Sequence, residues 1–335
     1  MISLRLSLAL FTISITTSFQ FGYHTGVINA PQLVRGQFFI YVCKKLQLIS
    51  EFIKNVTRGR YGSVDDAYVT TITSLCVSSF LFGGMVGALL SGLLANKFGR
   101  KKSILLLSGP CAVGSVMVMV SQAANSFEII IIGRALIGFA CGAYTGIGPT
   151  YMTEIAPCSI RGAAAVLNQL VIVTSLVISQ IFGLRELMGT ERLWPYLLGL
   201  NLIPCVFGFM CLLLCPESPR YLYLVKNDRL TAREALQRLR DSSDEIELDL
   251  ESYEKESELK TEKVWYLILL PSYSGAHNRL LFVIFGKCAT YAWVFWLLSL
   301  HKWGSNCQAS MVIANTAITM SNYIFKPRSS VVDLV

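Results

Sequence analysis

The stretch Asn96-Lys97-Phe98-Gly99-Arg100-Lys101-Lys102 decides how the chain is read. It is a short turn carrying four cations, preceded by about twenty apolar or small residues and followed by about nineteen, each run long enough to cross a bilayer. A turn so basic resists translocation, so it is expected on the cytoplasmic side and fixes the direction of every segment before and after it.

Working outward, apolar segments are expected at 4–29, 68–95, 103–121, 127–150, 162–184 and 193–214. The first is too long for a signal peptide, is interrupted by Ser, Thr and Gln, and lacks a small-residue cleavage site; it reads as a span with the N-terminus cytoplasmic. With 53% apolar residues among 335 and a mean hydropathy of +0.53, the chain is an all-α, multi-pass membrane protein. Its net charge of +8 lies in the connecting loops, where cations act as topology signals, so no nucleic-acid partner is expected.

Span two holds Gly83 and Gly87, and span four holds Gly138, Gly142 and Gly146 at the same four-residue period. Such spacing lets two helices approach backbone to backbone. Span five departs from a plain apolar helix. Gln169 and Gln180 are eleven residues apart, three turns, and share one face with Val173 and Leu176, while Asn168, Ser175 and Ser179 form a neighbouring polar line. An amide facing lipid costs several kcal/mol, so these residues face either protein or a water-filled cavity. The pattern admits both helix–helix hydrogen bonding and a wall that holds a polar solute.

About 36 residues separate spans one and two. They include the acceptor Asn55-Val56-Thr57, which places this connection outside, and six Lys or Arg, which by charge counting would place it inside. The six-span pattern decides for outside. After Pro216-Glu217-Ser218-Pro219-Arg220 the charged stretch to Lys263 reads as cytoplasmic surface helices. Residues 264–335 change character, with a candidate seventh span at 280–300 that carries Lys287. The expected division is thus 1–215, 216–263 and 264–335. Most cysteines lie inside apolar spans, and no metal spacing, catalytic carboxylate pair, HExxH, nucleophile elbow or phosphate loop occurs; neither an enzyme nor a cofactor is expected.

The strings FGYHTGVINAPQ (21–32), NKFGRKK (96–102), GRALIGFACG (133–142), YMTEIAP with IRGA (151–163), LNQLVIVTSLVISQIFG (167–183), LWP (193–195) and CPESPRYL (215–222) together resemble the facilitative hexose transporters of the sugar-porter branch of the major facilitator superfamily. The resemblance covers about residues 5–270 and implies the N-terminal six-helix bundle plus intracellular linker helices, with the C-terminal bundle absent or truncated. It implies transport of a hexose by alternating access. Gln169 then resembles a glutamine that bonds a sugar hydroxyl, Val173 and Leu176 the apolar wall beside it, and Thr25 a threonine near the outer approach. Arg100, Glu154, Arg161, Glu217 and Arg220 resemble a cytoplasmic salt-bridge latch. His24 stands where facilitative members carry Asn and proton-coupled ones Asp, which makes it a candidate pH-sensitive group and proton-linked sugar symport an alternative expectation. The seventh-span signature QQ-x-SG-x-N is not found after Ser272. The alternative expectation is therefore a non-transporting half-carrier that associates with a full-length transporter, with the plasma membrane as the family's usual location.

Overall fold

The computed structural model describes residues 3–28, 37–62, 65–184, 186–190, 192–240 and 242–269, leaving aside side chains at 28, 37–47 and 259–269. The candidate seventh span lies outside the described residues. Among those described, the chain forms twelve α-helices and no strand. Span one comprises α1 (Leu4–Ser14), a π-helical turn (Ile15–Phe19) and α2 (Gln20–Ile28). Next along the chain come α3 (Gln37–Tyr61), α4 (Asp66–Phe98), α5 (Arg100–Val120), α6 (Phe127–Ile155) and α7 (Arg161–Phe182). Span six is α8 (Trp194–Gly199) with α9 (Leu202–Leu214), and beyond it come α10 (Pro219–Leu224), α11 (Arg229–Leu239) and α12 (Ser243–Leu269). Among the described residues, six helical segments are long and apolar enough to cross a membrane: Leu4–Val27, Asp66–Phe98, Arg100–Val120, Phe127–Ile155, Cys158–Phe182 and Trp194–Leu214.

The centre of the bundle is α6, whose glycines seat it against α4 and, through Gly133 beside Gly114 and Val118, against α5. A Cβ on Gly138 or Gly142 would run into the backbone of Phe80 or Gly84, and one on Gly83 or Gly87 into the carbonyls of Ala135 or Phe139. The glycine period in spans two and four therefore does what its spacing predicts, bringing α4 and α6 into backbone contact. Around this seam, Ile13, Ile104, Cys111, Tyr144, Ile147 and Met152 form one apolar cluster toward the linker helices, and Tyr23, Ile53, Phe80, Ile130 and Trp194 another toward the far side.

The connection between spans one and two, expected to be a loop, contains the 25-residue helix α3. Ile49, Ile53 and Val56 recur at helical spacing and are buried against the far ends of the spans, with Phe52 tilted over Trp194 at 5.4 Å. Two of its cations are neutralised there. Lys54 pairs with Asp66 at 2.8 Å; Arg60 pairs with Glu128 at 2.6 Å and donates to the Asn125 carbonyl at 2.8 Å. Charge counting is a weak guide for this segment because these ammonium and guanidinium groups are already matched.

Candidate functional site

The two polar lines of α7 have different fates. Ser175 and Ser179 are fully buried, and the space a Cβ would need on Gly22 or Gly26 of α2 is filled by their hydroxyls and the adjoining α7 backbone. Asn168 accepts a hydrogen bond from Ser18 of the π turn at 2.6 Å. That line is helix-to-helix packing. About 100° further round the helix, Gln169 and Val173 are exposed and Leu176 and Gln180 half-buried. Of the six spans, the one containing α7 is the least covered by the rest of the chain. Thr25, on α2 and half-buried, donates its hydroxyl to the Phe21 carbonyl at 2.8 Å and keeps its oxygen as an acceptor.

Deeper in the bundle His24 is enclosed. Its Nε2 lies 2.8 Å from Asn201 Nδ2, which also donates to Gln20 Oε1. The Cys111 thiol reaches the same Gln20 oxygen at 3.6 Å. The Phe80 ring stands next to the imidazole, centroids 6.3 Å apart, and the buried Arg134 guanidinium packs over that ring at 5.1 Å. This arrangement links spans one, two, three, four and six. Sequence reasoning singled out His24 but neither Gln20, Asn201 nor Arg134, whose only signal is being polar inside apolar runs.

On the linker side, the turn Asn96–Lys102 is held by three groups. Arg100 forms a two-pronged ion pair with Glu154, Nε to Oε2 and Nη2 to Oε1, both 2.8 Å, with the two side chains 11% and 5% exposed. Its guanidinium also lies over the Tyr221 ring at 4.8 Å. Glu217 Oε1 accepts the backbone N–H groups of Arg100 and Lys101, each at 2.9 Å, and so caps the start of α5 where its dipole favours an anion. Ser218 donates to Glu154 at 2.6 Å and caps α10 through the Tyr221 N–H at 3.2 Å. Tyr151 completes the cluster by donating to the Pro216 carbonyl.

The other two expected latch residues sit apart. Arg220 makes a two-pronged pair with Glu256 of α12, at 3.1 and 2.7 Å, and this partner holds the guanidinium pKa above its usual value. Arg161 is exposed and enters no ion pair among the described residues. Arg240, which sequence reasoning missed, is buried between Asp249 (3.0 Å) and the Ile155 carbonyl (2.9 Å), fastening the linker helices to the end of α6. Asn55 is exposed on α3, with Thr57 of the same acceptor buried.

The sequence profile of the family described as sugar (and other) transporters matches residues 10–295. The chain belongs to the sugar transporter family. Among the relatives of this sugar transporter family chain are proteins named facilitated glucose transporter member 3 of solute carrier family 2. The rat protein is 39% identical over 265 residues, 78% of this chain and 51% of that one; the human protein is 39% identical over 251 residues, 74% and 48%. The chain thus spans about half the length of the curated relatives it matches. Solved structures with the same fold include the E. coli xylose transporter XylE. In a partially occluded inward-open form it gives a TM-score of 0.63 at 18% identity, covering 89% of this chain and 74% of that one. With 6-bromo-6-deoxy-D-glucose bound it gives 0.65 at 16%, covering 93% and 66%. The fold is that of the major facilitator superfamily, and this sugar transporter family chain is a multi-pass membrane protein.

Proposed function

We propose that this bundle is the N-terminal half of a facilitative hexose carrier and supplies one wall of its sugar cavity. The observation that carries the reading is the division of labour on α7. The Ser175 and Ser179 line is consumed by packing, while Gln169 is left uncovered at membrane depth, where an amide is tolerated only toward protein or water. Gln169 would hydrogen-bond a sugar hydroxyl, with Val173 and Leu176 against the apolar face of the ring and Thr25 nearer the entrance. The relatives named as glucose transporters support a hexose as the substrate class.

The Arg100–Glu154–Glu217 cluster would act as the inner latch, with the turn Asn96–Lys102 and the N-terminus in the cytoplasm and the plasma membrane as location. The division into a bundle at 1–215, linker helices at 216–263 and a separate C-terminal segment at 264–335 is part of this reading. Uptake is proposed to be independent of a proton gradient. Protonating His24 would add a second cation to an enclosure that already holds Arg134 across the Phe80 ring. A second reading is a non-transporting half-carrier that associates with a full-length transporter.

Sugar uptake by cells lacking their own hexose carriers, expressing the chain or its Gln169→Ala variant, separates the two. A carrier loses about tenfold or more in apparent affinity with Gln169→Ala, the scale of a lost hydrogen bond to a buried polar partner. Uptake with unchanged affinity in Gln169→Ala overturns the placement of Gln169 at the sugar, and no uptake above untransfected cells, with the chain correctly inserted, favours the half-carrier reading for this chain.

A further inference from the structure

Arg134, in the half of α6 away from the linker helices, is 3% exposed. Among the described residues no carboxylate pairs with its guanidinium and no oxygen accepts a hydrogen bond from it. Two other buried arginines show the contrast: Arg100 is paired with Glu154 and Arg240 with Asp249. Around Arg134 stand neutral groups, the Phe80 ring at 5.1 Å and the thiols of Cys76 and Cys141. Glu128 lies one to two turns back on the same helix, about 9 Å along its axis, and is committed to Arg60 and Ser126, each at 2.6 Å.

A charge enclosed at membrane depth persists where another charge or a polar network compensates it. The Phe80 ring offsets only part of the cost of taking a guanidinium out of water. The rest of the enclosure is short of acceptors. Asn201 Nδ2 can only donate, so His24 Nε2 accepts and the imidazole proton lies on Nδ1. That Nδ1, Gln20 Nε2 and Arg134 Nε are three enclosed donors without a partner, against one free acceptor, Asn201 Oδ1. Water would serve neutral donors but brings no charge, and a metal cation would be repelled by the guanidinium. The bundle's own helices close over Arg134, which shuts out a carboxylate arriving from another part of the protein and leaves room for a single ion. We infer that this enclosure binds one small monovalent anion, of the size of chloride, against the Arg134 guanidinium.

The site bears on how two spans hold together. Arg134 and Phe80 flank the seam where a Cβ on Gly138 would strike the Phe80 backbone and one on Gly83 the Ala135 carbonyl. An anion there removes an uncompensated charge from the contact between α4 and α6. One monovalent anion balances one cation, so it leaves no charge to balance a protonated His24. The inference is independent of whether sugar is carried.

Thermal unfolding of the full chain in detergent, in chloride or in gluconate at equal ionic strength, tests it. Gluconate is too large to enter. Chloride is expected to raise the midpoint by about 3 °C or more, the scale of a well-occupied site present only in the folded state. Arg134→Met, close in length but uncharged, is expected to lose that rise. Equal midpoints in chloride and gluconate for the unaltered chain overturn the site and leave its donors to water. A rise kept in full by Arg134→Met overturns it too, because the ion then binds elsewhere. Should Arg134→Met fail to fold, crystals of the unaltered chain grown in bromide decide. An anomalous bromine peak beside the guanidinium upholds the site, and no peak there overturns it.

Discussion

Gly99 shows how one residue on the linker side commits several others. Its φ of +94° lies where a side chain is strained, and a Cβ there would stand 2.6 Å from Glu217 Oε2 and 2.9 Å from the Tyr221 ring. Those two groups hold the start of α5 and the Arg100 guanidinium. Gly99→Ala therefore strains the backbone and pushes Glu217 off the N–H groups it caps. A loss of about 2 kcal/mol is expected, from the left-handed backbone and the weakened cap together. Thermal unfolding of the purified protein in detergent checks it; an unchanged midpoint would show that Glu217 does not hold the turn. The glycine was visible in the sequence as part of a basic turn, but its reason was not. That reason is a carboxylate 118 positions later, brought close only by the fold.

At the scale of elements, the linker helices hang on few contacts. Tyr223, Ala232, Leu236, Ile246 and Tyr253 give α10, α11 and α12 a small apolar cluster of their own, and burial pushes the Tyr253 hydroxyl up to about 12. Arg240, at the end of α11, ties this unit to the Ile155 carbonyl at the end of α6 while paired with Asp249. Truncating Arg240 to Ala leaves the half-buried Asp249 carboxylate without its cation and the Ile155 carbonyl without its donor, a change worth about 1–3 kcal/mol. The expected outcome is local: faster hydrogen exchange across 229–258 with the six spans still protected. Exchange rising equally in α6 and α11 would instead mean that linker and bundle unfold together. The elements themselves were largely legible, because apolar runs between charges mark the spans within a few residues. Their ends were less so, since α4 runs from Asp66 to Phe98 through polar residues, stopped only by its Asp65 cap and by Gly99. The helix α3 was missed as a helix although Ile49, Ile53 and Val56 carry its period, because six cations and a glycosylation acceptor made the segment read as loop. On α7 the sequence placed both polar lines on the helix but could not say which one packs; that depends on Gly22 and Gly26 of another span.

For the whole molecule, the charge on the two sides of the bundle is arranged unequally. On the linker side, Lys97, Lys102, Arg161, Lys226 and Arg238 are exposed and enter no ion pair among the described residues; on the far side only Arg58 and Arg192 do so among those described, while Lys54 and Arg60 are matched by Asp66 and Glu128. Unmatched cations resist transfer across a membrane more than neutralised ones do, so the linker side is expected in the cytoplasm although α3 is rich in basic residues. Two reporters lie on opposite sides. Cys158 is exposed beside Arg161, while Cys76, Cys111, Cys141, Cys205 and Cys215 are buried; Asn55 is exposed on α3. In intact cells a membrane-impermeant maleimide should leave Cys158 unmodified, and permeabilising the cells should expose it, with Cys158→Ser as the blank. A glycosidase should shift the mobility of the protein unless Asn55 is changed to Gln. Labelling of Cys158 from outside would invert the whole molecule, moving the Arg100–Glu154–Glu217 cluster to the outer surface and ending its reading as an inner latch.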